Sequence, residues 1–366
     1  MKKILLALAA AAVTWLALAD DLKLKNDFPE TYVVKKGDTL WDISAKFLQN
    51  PWLWPKLWQS NEQVDNPHLI YPGDKLSLVI IDGVPQLVRK PLVKLSPTVR
   101  VVDKGDAIPT LPTNHIRAFL THQQIVDDEL LKGAPRITGG SDLTKRMTQH
   151  MDIYARGDKI EDGRLYGVYR KGNRYLDPKS GEELGIEAVL VSVVKAMDVQ
   201  QAQIGQGEDA KSLDLASLKV VQTEREITQG DYLLPLDDHN LPVFFQPHAP
   251  GALVEARIID SYRKTRALGK YDVVILDKGA RDGLEPGLVL EARREGATVI
   301  LKDDAQYKED ASVFDRWFSS EEATVVQPSE GIGQMMVFRT FDKLSLALIL
   351  KAEKPIREMD MATNPE

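Results

Sequence analysis

Val34-Lys35-Lys36-Gly37-Asp38-Thr39-Leu40-Trp41-Asp42-Ile43 and Asn66-Pro67-His68-Leu69-Ile70-Tyr71-Pro72-Gly73-Asp74-Lys75-Leu76 decide how this chain is read. Tyr32, Val33 and Val34 are a short β-favouring run, and Lys35-Lys36-Gly37-Asp38 turns the chain. Thr39 is a good helix N-cap, with Asp42 three residues on to complete a capping box, and Leu40, Ile43 and Phe47 recur on one helical face. Pro51 ends that helix. Pro55 suits the first turn of a second helix, which buries Leu57 and Trp58 and stops at Asn61. Asn66-Pro67-His68 is then a loop, Tyr71-Pro72-Gly73-Asp74 a turn, and Lys75-Leu76-Ser77-Leu78-Val79 an alternating strand. The predicted order over residues 31–79 is strand, helix, helix, strand.

That order and the two quoted segments closely resemble a LysM domain. The resemblance implies a shallow groove for N-acetylglucosamine-containing glycan, peptidoglycan or chitin, between the loop after the first strand and the loop before the second. Carried over by position, Gly37, Asp38, Thr39 and Leu40 form one side, and Asn66, Pro67, His68, Leu69 and Ile70 the other. Glycine and a helix N-terminus expose backbone N–H groups for acetamido carbonyls, while Leu40 and Ile70 offer apolar contact to N-acetyl methyls. Gly37, Thr39, Pro72 and Gly73 have an equal claim to be turn and cap residues, and His68 to be a hydrogen-bonding loop residue. Trp41 and Trp58 fall at core spacing, whereas Trp52 and Trp54 offer a sugar-stacking face. Lys35, Lys36, Lys46, Lys56 and Lys75 balance Asp38, Asp42, Glu62, Asp65 and Asp74, so binding should depend little on salt.

Lys2 and Lys3, the apolar residues 4–16 and the small-x-small run Ala17-Leu18-Ala19 read as a cleaved signal peptide over residues 1–19. The expected home is therefore the periplasm, in association with the cell wall. The 366 residues contain no cysteine, which excludes disulfides, thiolate metal sites, cysteine nucleophiles and a lipidated-cysteine anchor. A net charge of −7 gives no basic surplus for nucleic acid. Residues 20–30 look like a short leader, and residues 80–97, with Pro85, Pro91 and Pro97, read as a linker whose Val and Leu residues could add an edge strand. Residues 98–247 are expected to form a mixed α/β middle domain, with a helix over 114–131. Residues 248–356 should be a β-rich domain, and 357–366 a frayed tail. The fold class is α+β, a small βααβ module followed by predominantly β domains.

In the later part, Arg164-Leu165-Tyr166-Gly167-Val168-Tyr169-Arg170 and Tyr175-Leu176-Asp177-Pro178-Lys179-Ser180-Gly181-Glu182-Glu183-Leu184-Gly185 read as a hairpin. Lys278-Gly279-Ala280-Arg281-Asp282-Gly283-Leu284-Glu285-Pro286-Gly287 and Met336-Val337-Phe338-Arg339-Thr340-Phe341-Asp342-Lys343-Leu344-Ser345-Leu346-Ala347-Leu348 resemble exported LysM proteins whose C-terminus is similar to that of the flagellar protein FlgT. The proteins associated with type IV pilus secretins are built this way. The resemblance implies an outer-membrane secretin as protein partner, with flagellar association a further reading. The charged residues 303–322 match nothing in that pattern.

Zinc-peptidase and nucleophile-elbow motifs are missing. His68, His115, His122, His150, His239 and His248 form neither His-x-His nor His-Glu-x-x-His, and there is no Gly-x-Ser-x-Gly. The glycine loop at 278–287 lacks the Gly-Lys-Ser/Thr ending of a phosphate cradle and reads as a β turn. No metal or cofactor is expected. Two carboxylates suffice for a glycosidase, so a wall-cutting enzyme or remodelling accessory stays open beside the non-enzymatic adaptor.

Overall fold

The computed structural model describes residues 22–58, 70–81, 83–89, 108–112, 115–116, 119, 123–149, 151–204, 211–236, 245–301, 305–308 and 324–365. The chain divides into two compact units, Met1–Pro109 and Thr110–Glu366. The signal-like segment 1–19 and most of 303–322 lie outside the described residues.

The first unit contains β1 (Thr31–Val33), α1 (Leu40–Phe47), a 3-10 turn (Pro51–Leu53) leading into α2 (Trp54–Trp58), β2 (Lys75–Ile81) and β3 (Val84–Arg89). Helix α1 starts where Thr39 leaves the extended region, and its hydroxyl accepts the Asp42 N–H at 3.1 Å. The reciprocal half of the expected box is altered: the Asp42 carboxylate takes the Thr39 hydroxyl proton at 2.7 Å. Leu40, Ile43, Ser44 and Phe47 give the helix its buried face. Residues 23–25 run beside its end, Lys25 N–H donating to the Phe47 carbonyl at 2.9 Å, so part of the expected leader is packed. The strands form a sheet in the order β1-β2-β3, and β3 lies within the expected linker, at an edge where Pro85 costs no ladder bond to a further strand.

In the second unit, β4 (Gln123–Val126), β5 (Arg136–Gly140), β7 (Ile153–Gly157), β8 (Leu165–Leu176), β9 (Glu183–Ile204), β10 (Lys211–Thr223) and β12 (Tyr232–Pro235) share one seven-stranded sheet. Its order is β10-β7-β5-β12-β8-β9-β4, and β9 also pairs with β10, so the pairings close a ring of six with β4 attached outside. Ile137, Ile153, Tyr166, Val168, Val194, Leu218 and Leu233 fill it. Two minor strands, β6 (Arg146–Met147) and β11 (Ile227–Thr228), pair beside it. A closed barrel follows, ordered β13 (Glu255–Ser261), β14 (Val273–Leu276), β20 (Ser345–Ala352), β19 (Glu330–Thr340), β15 (Val289–Arg294) and β21 (Met361–Thr363). Ile258, Val274, Leu276, Leu290, Met335, Val337, Ala347 and Ile349 fill this second core. Strands β16 (Thr298–Leu301), β17 (Ala305–Tyr307) and β18 (Thr324–Val326) make a small separate sheet.

The whole is α+β, as expected, but several elements differ. The described part of 114–131 is not one helix: Gln123-Gln124-Ile125-Val126 pairs with β9, Ile125 opposite Glu187, and helix α3 covers only Asp128–Gly133. A free strand edge and two β-branched residues outweigh the local helical pattern. The expected hairpin forms with longer arms and turns at 177–182, where the Asp177 carboxylate accepts the Lys179 and Ser180 N–H groups at 2.7 Å each. The expected frayed tail holds β21, which pairs with both β13 and β15 and closes the barrel. Residues 278–287 turn through a single 3-10 segment, Ala280–Asp282, where a side chain at position 279 would meet the Asp342 carbonyl oxygen at 2.4 Å.

Candidate functional site

Two turns of the same build frame the first unit's candidate site. At 35–38 the Asp38 N–H donates to the Lys35 carbonyl at 3.2 Å, and the Asp38 carboxylate accepts the Lys35 N–H at 2.8 Å. At 71–74 the Asp74 N–H donates to the Tyr71 carbonyl at 3.0 Å, and the Asp74 carboxylate accepts the Tyr71 N–H at 3.1 Å. The third residue of each turn has φ of +94° (Gly37) or +96° (Gly73), a region that L side chains avoid. The turns are stitched together by the Val34 N–H on the Asp74 carbonyl (2.9 Å) and the Gly73 N–H on the Val34 carbonyl (2.8 Å). The device recurs in the second unit at 228–231, 269–272 and 357–360, where Asp231, Asp272 and Asp360 cap their turns and pair with Arg170, Arg263 and Arg294.

These bonds assign the described site residues. Asp38 also receives the Tyr32 hydroxyl at 2.9 Å. Burial first, then that bond and the Asp38 and Asp42 charges, push the Tyr32 phenol up to about 12. Thr39 is buried, with its hydroxyl committed to Asp42 in both directions. Gly37 is open: a Cβ built on it would have no neighbour within 4 Å. The Leu40 and Ile70 side chains, expected to receive acetyl methyls, are fully buried at 0% exposure. What these two residues present instead is backbone. The Leu40 N–H, at the start of α1, donates to the Pro109 carbonyl at 3.1 Å, and the Ile70 carbonyl accepts the Ile108 N–H at 2.8 Å. Asn66, Pro67, His68 and Leu69 lie outside the described residues.

The sugar-stacking reading of Trp52 and Trp54 is corrected by their burial, at 4% and 1% exposure. With Trp41 and Trp58, also buried, they belong to the core of the unit. The Pro51 to Leu53 turn and α2 fold their rings inward, which composition alone does not reveal. Among the described residues no group of three or more His, Asp or Glu is placed to hold a metal ion, and no helix is long and apolar enough to cross a membrane.

A concavity of about 400 Å³ opens in the second unit beside outward-facing Val273, Ile275 and Leu346 of the barrel and Tyr175, Glu187 and Leu190 of the neighbouring sheet. The sheet and the barrel are also joined by an ion cluster. Glu182 receives two bonds from Arg281 at 2.8 and 2.9 Å, and Lys343 lies at 2.9 Å. Arg281 first, then Lys343, hold the Glu182 carboxyl down at about 2.

The first unit is thus a small βααβ module with two aspartate-capped glycine turns beside a helix N-terminus. The comparison with known families agrees: residues 32–79 are a LysM domain, a module that binds peptidoglycan or related carbohydrate and is not itself catalytic. The chain is also similar to the uncharacterized protein YqbP of Bacillus subtilis (strain 168), 42% identical over 60 residues. That match covers 14% of this chain and 27% of the relative, so the chain spans about a quarter of the relative's length.

Proposed function

We propose that the protein is a non-enzymatic, exported adaptor of the periplasm. Residues 32–79 hold the N-acetylglucosamine-containing glycan of peptidoglycan, and the second unit holds a protein complex, the outer-membrane secretin of a type IV pilus. The LysM match carries the glycan half of this reading. The glycan site lies between residues 37–40 and 66–70, with backbone groups of Leu40 and Ile70 as its polar contacts. The second unit, built on two closed β arrangements, is the part of the chain assigned to the protein partner. The basic n-region and apolar run at residues 1–19 support export. The secretin rests on the resemblance of the C-terminal segments.

The test compares sedimentation with purified sacculi. The chain without residues 1–19 should co-sediment, while residues 110–366, the second unit, should stay in the supernatant. Equal sedimentation of both removes the LysM domain as the wall anchor. Release of soluble muropeptides on long incubation would replace the adaptor by an enzyme.

A further inference from the structure

The concavity of about 400 Å³ in the second unit has a carboxylate built into its wall. Strand β8 bulges there: Lys171 pairs with Ala188 and Arg174 with Ile186, so Gly172 and Asn173 together face the single residue Glu187. The bulge serves that acid. Asn173 donates its backbone N–H and its side-chain amide to Glu187 Oε2, at 3.2 and 3.0 Å, and a Cβ at position 172 would meet the same oxygen at 2.6 Å. Glu187 is 7% exposed, and a charge so far from water must be held by donors. Its field is felt at the neighbouring Tyr175, whose phenol is pushed up by burial first, then by the Glu187 and Asp260 charges. The wall also contains an orphan. Ser261 is completely buried, and its hydroxyl has no hydrogen-bond partner among the described residues. A polar group entering the cavity accounts for such a hydroxyl.

We infer that this cavity binds a primary ammonium group on an aliphatic stem, the chemistry of a lysine side chain or a free diamine. The ammonium sits against the Glu187 carboxylate and the Ser261 hydroxyl, and the stem lies along the apolar wall of Val273, Ile275 and Leu346. Half-exposed Tyr262, held edge-on by the Phe119 ring at 4.6 Å between centroids, supplies an aromatic face that a cation prefers. Both Asn173 donors fall on one oxygen of Glu187, which spoils the even two-oxygen fork that a guanidinium matches, whereas a compact ammonium needs no fork. The two cations of the lining do not compete for the carboxylate's place: Lys264 pairs with Asp260, and Arg225 is exposed next to exposed Glu224. The volume lies at the small end of ligand pockets, enough for one side chain or small amine. No residue of the glycan site takes part.

The test titrates the whole chain without residues 1–19 by calorimetry with cadaverine, Nα-acetyl-lysine amide and the uncharged isostere Nα-acetyl-norleucine amide. At least one amine should bind saturably, and the norleucine amide about tenfold more weakly, the factor expected of a charge-assisted hydrogen bond. Glu187→Gln should weaken amine binding by about the same factor and leave the norleucine amide unchanged. Tyr262→Ala, at a half-exposed position, should weaken amine binding about two- to fivefold. Binding of the lysine amide as tightly as cadaverine assigns the site to a side chain carried by a protein or peptide, and binding of cadaverine alone assigns it to a free amine; both results uphold the ammonium site. Absence of saturable amine binding, a norleucine amide that binds as tightly as the amines, or unchanged amine affinity in folded Glu187→Gln overturns it. If Glu187→Gln does not fold, unchanged amine affinity in Tyr262→Ala overturns it instead.

Discussion

Asp38 separates a groove residue that touches glycan from one that shapes the groove. Replacing it by alanine removes the acceptor for the Lys35 N–H at 2.8 Å and for the Tyr32 hydroxyl at 2.9 Å. Water takes over much of the exposed Lys35 amide, and the part-buried hydroxyl loses more. Together the two bonds are worth about 2 kcal/mol. In a domain of 60–100 residues each 1 kcal/mol moves Tm by roughly 4–8 °C, so Asp38→Ala should melt the first unit roughly 8–16 °C lower. Tyr32→Phe deletes one bond and should cost about half as much, with a coupling of about 1 kcal/mol in the double variant. The Tyr32 phenol should also fall part of the way from about 12 towards its ordinary 10.0. Because folding raises that pKa, the neutral hydroxyl contributes stability in full below pH 10 and loses it as pH rises through 12. Calorimetry of the whole chain, with sacculus retention measured on the same samples, checks all of this. An unmoved Tm with retention abolished would put the carboxylate on the sugar and refute the turn argument.

Two further outcomes concern the second unit. Folding lowers the Glu182 pKa from 4.5 to about 2, so the Arg281 and Lys343 clamp is fully present above pH 4.5 and lost as pH falls towards 2. Glu182→Gln should therefore lower the urea midpoint at pH 6, less so in high salt, and the gap to wild type should close by pH 2. A gap that ignores pH sinks that account. Gly279→Ala should cost about 3 kcal/mol, because its Cβ would lie 2.4–2.5 Å from backbone atoms of Phe341, Asp342 and Leu344. A midpoint shift under a third of that would show that the 341–344 turn moves aside freely.

How much of this was legible in the sequence depended on whether the signal was local. Gly37-Asp38 and Gly73-Asp74 announce their turns, because glycine supplies the positive φ and aspartate the cap. The same turn at Tyr271-Asp272 and Met359-Asp360 is silent, since both residues adopt φ of +71° without being glycine. Thr39 was readable as a cap for the same local reason. Gln123-Gln124-Ile125-Val126 was not readable as a strand, because its partner is the edge of β9, distant in sequence. Trp52 and Trp54 carry identical chemistry on a sugar-binding face or in a core, and only packing distinguishes the two. The contact of Ile108 and Pro109 with Ile70 and Leu40 has no signature at all, because both bonds are made by backbone atoms.

Strand β21 has a consequence for how the protein reaches its native state. It is the seam of the second barrel, joining Glu255 to Thr363 on one side and Glu291 to Thr363 on the other. The first pairing spans about a hundred residues of chain, and contacts of such separation form late because the loop must close before anything is gained. Until then β13 and β15 each carry a bare edge able to pair with another molecule. Closing this seam is thus expected to be a late step, and a chain in which it stays open would carry two edges able to aggregate.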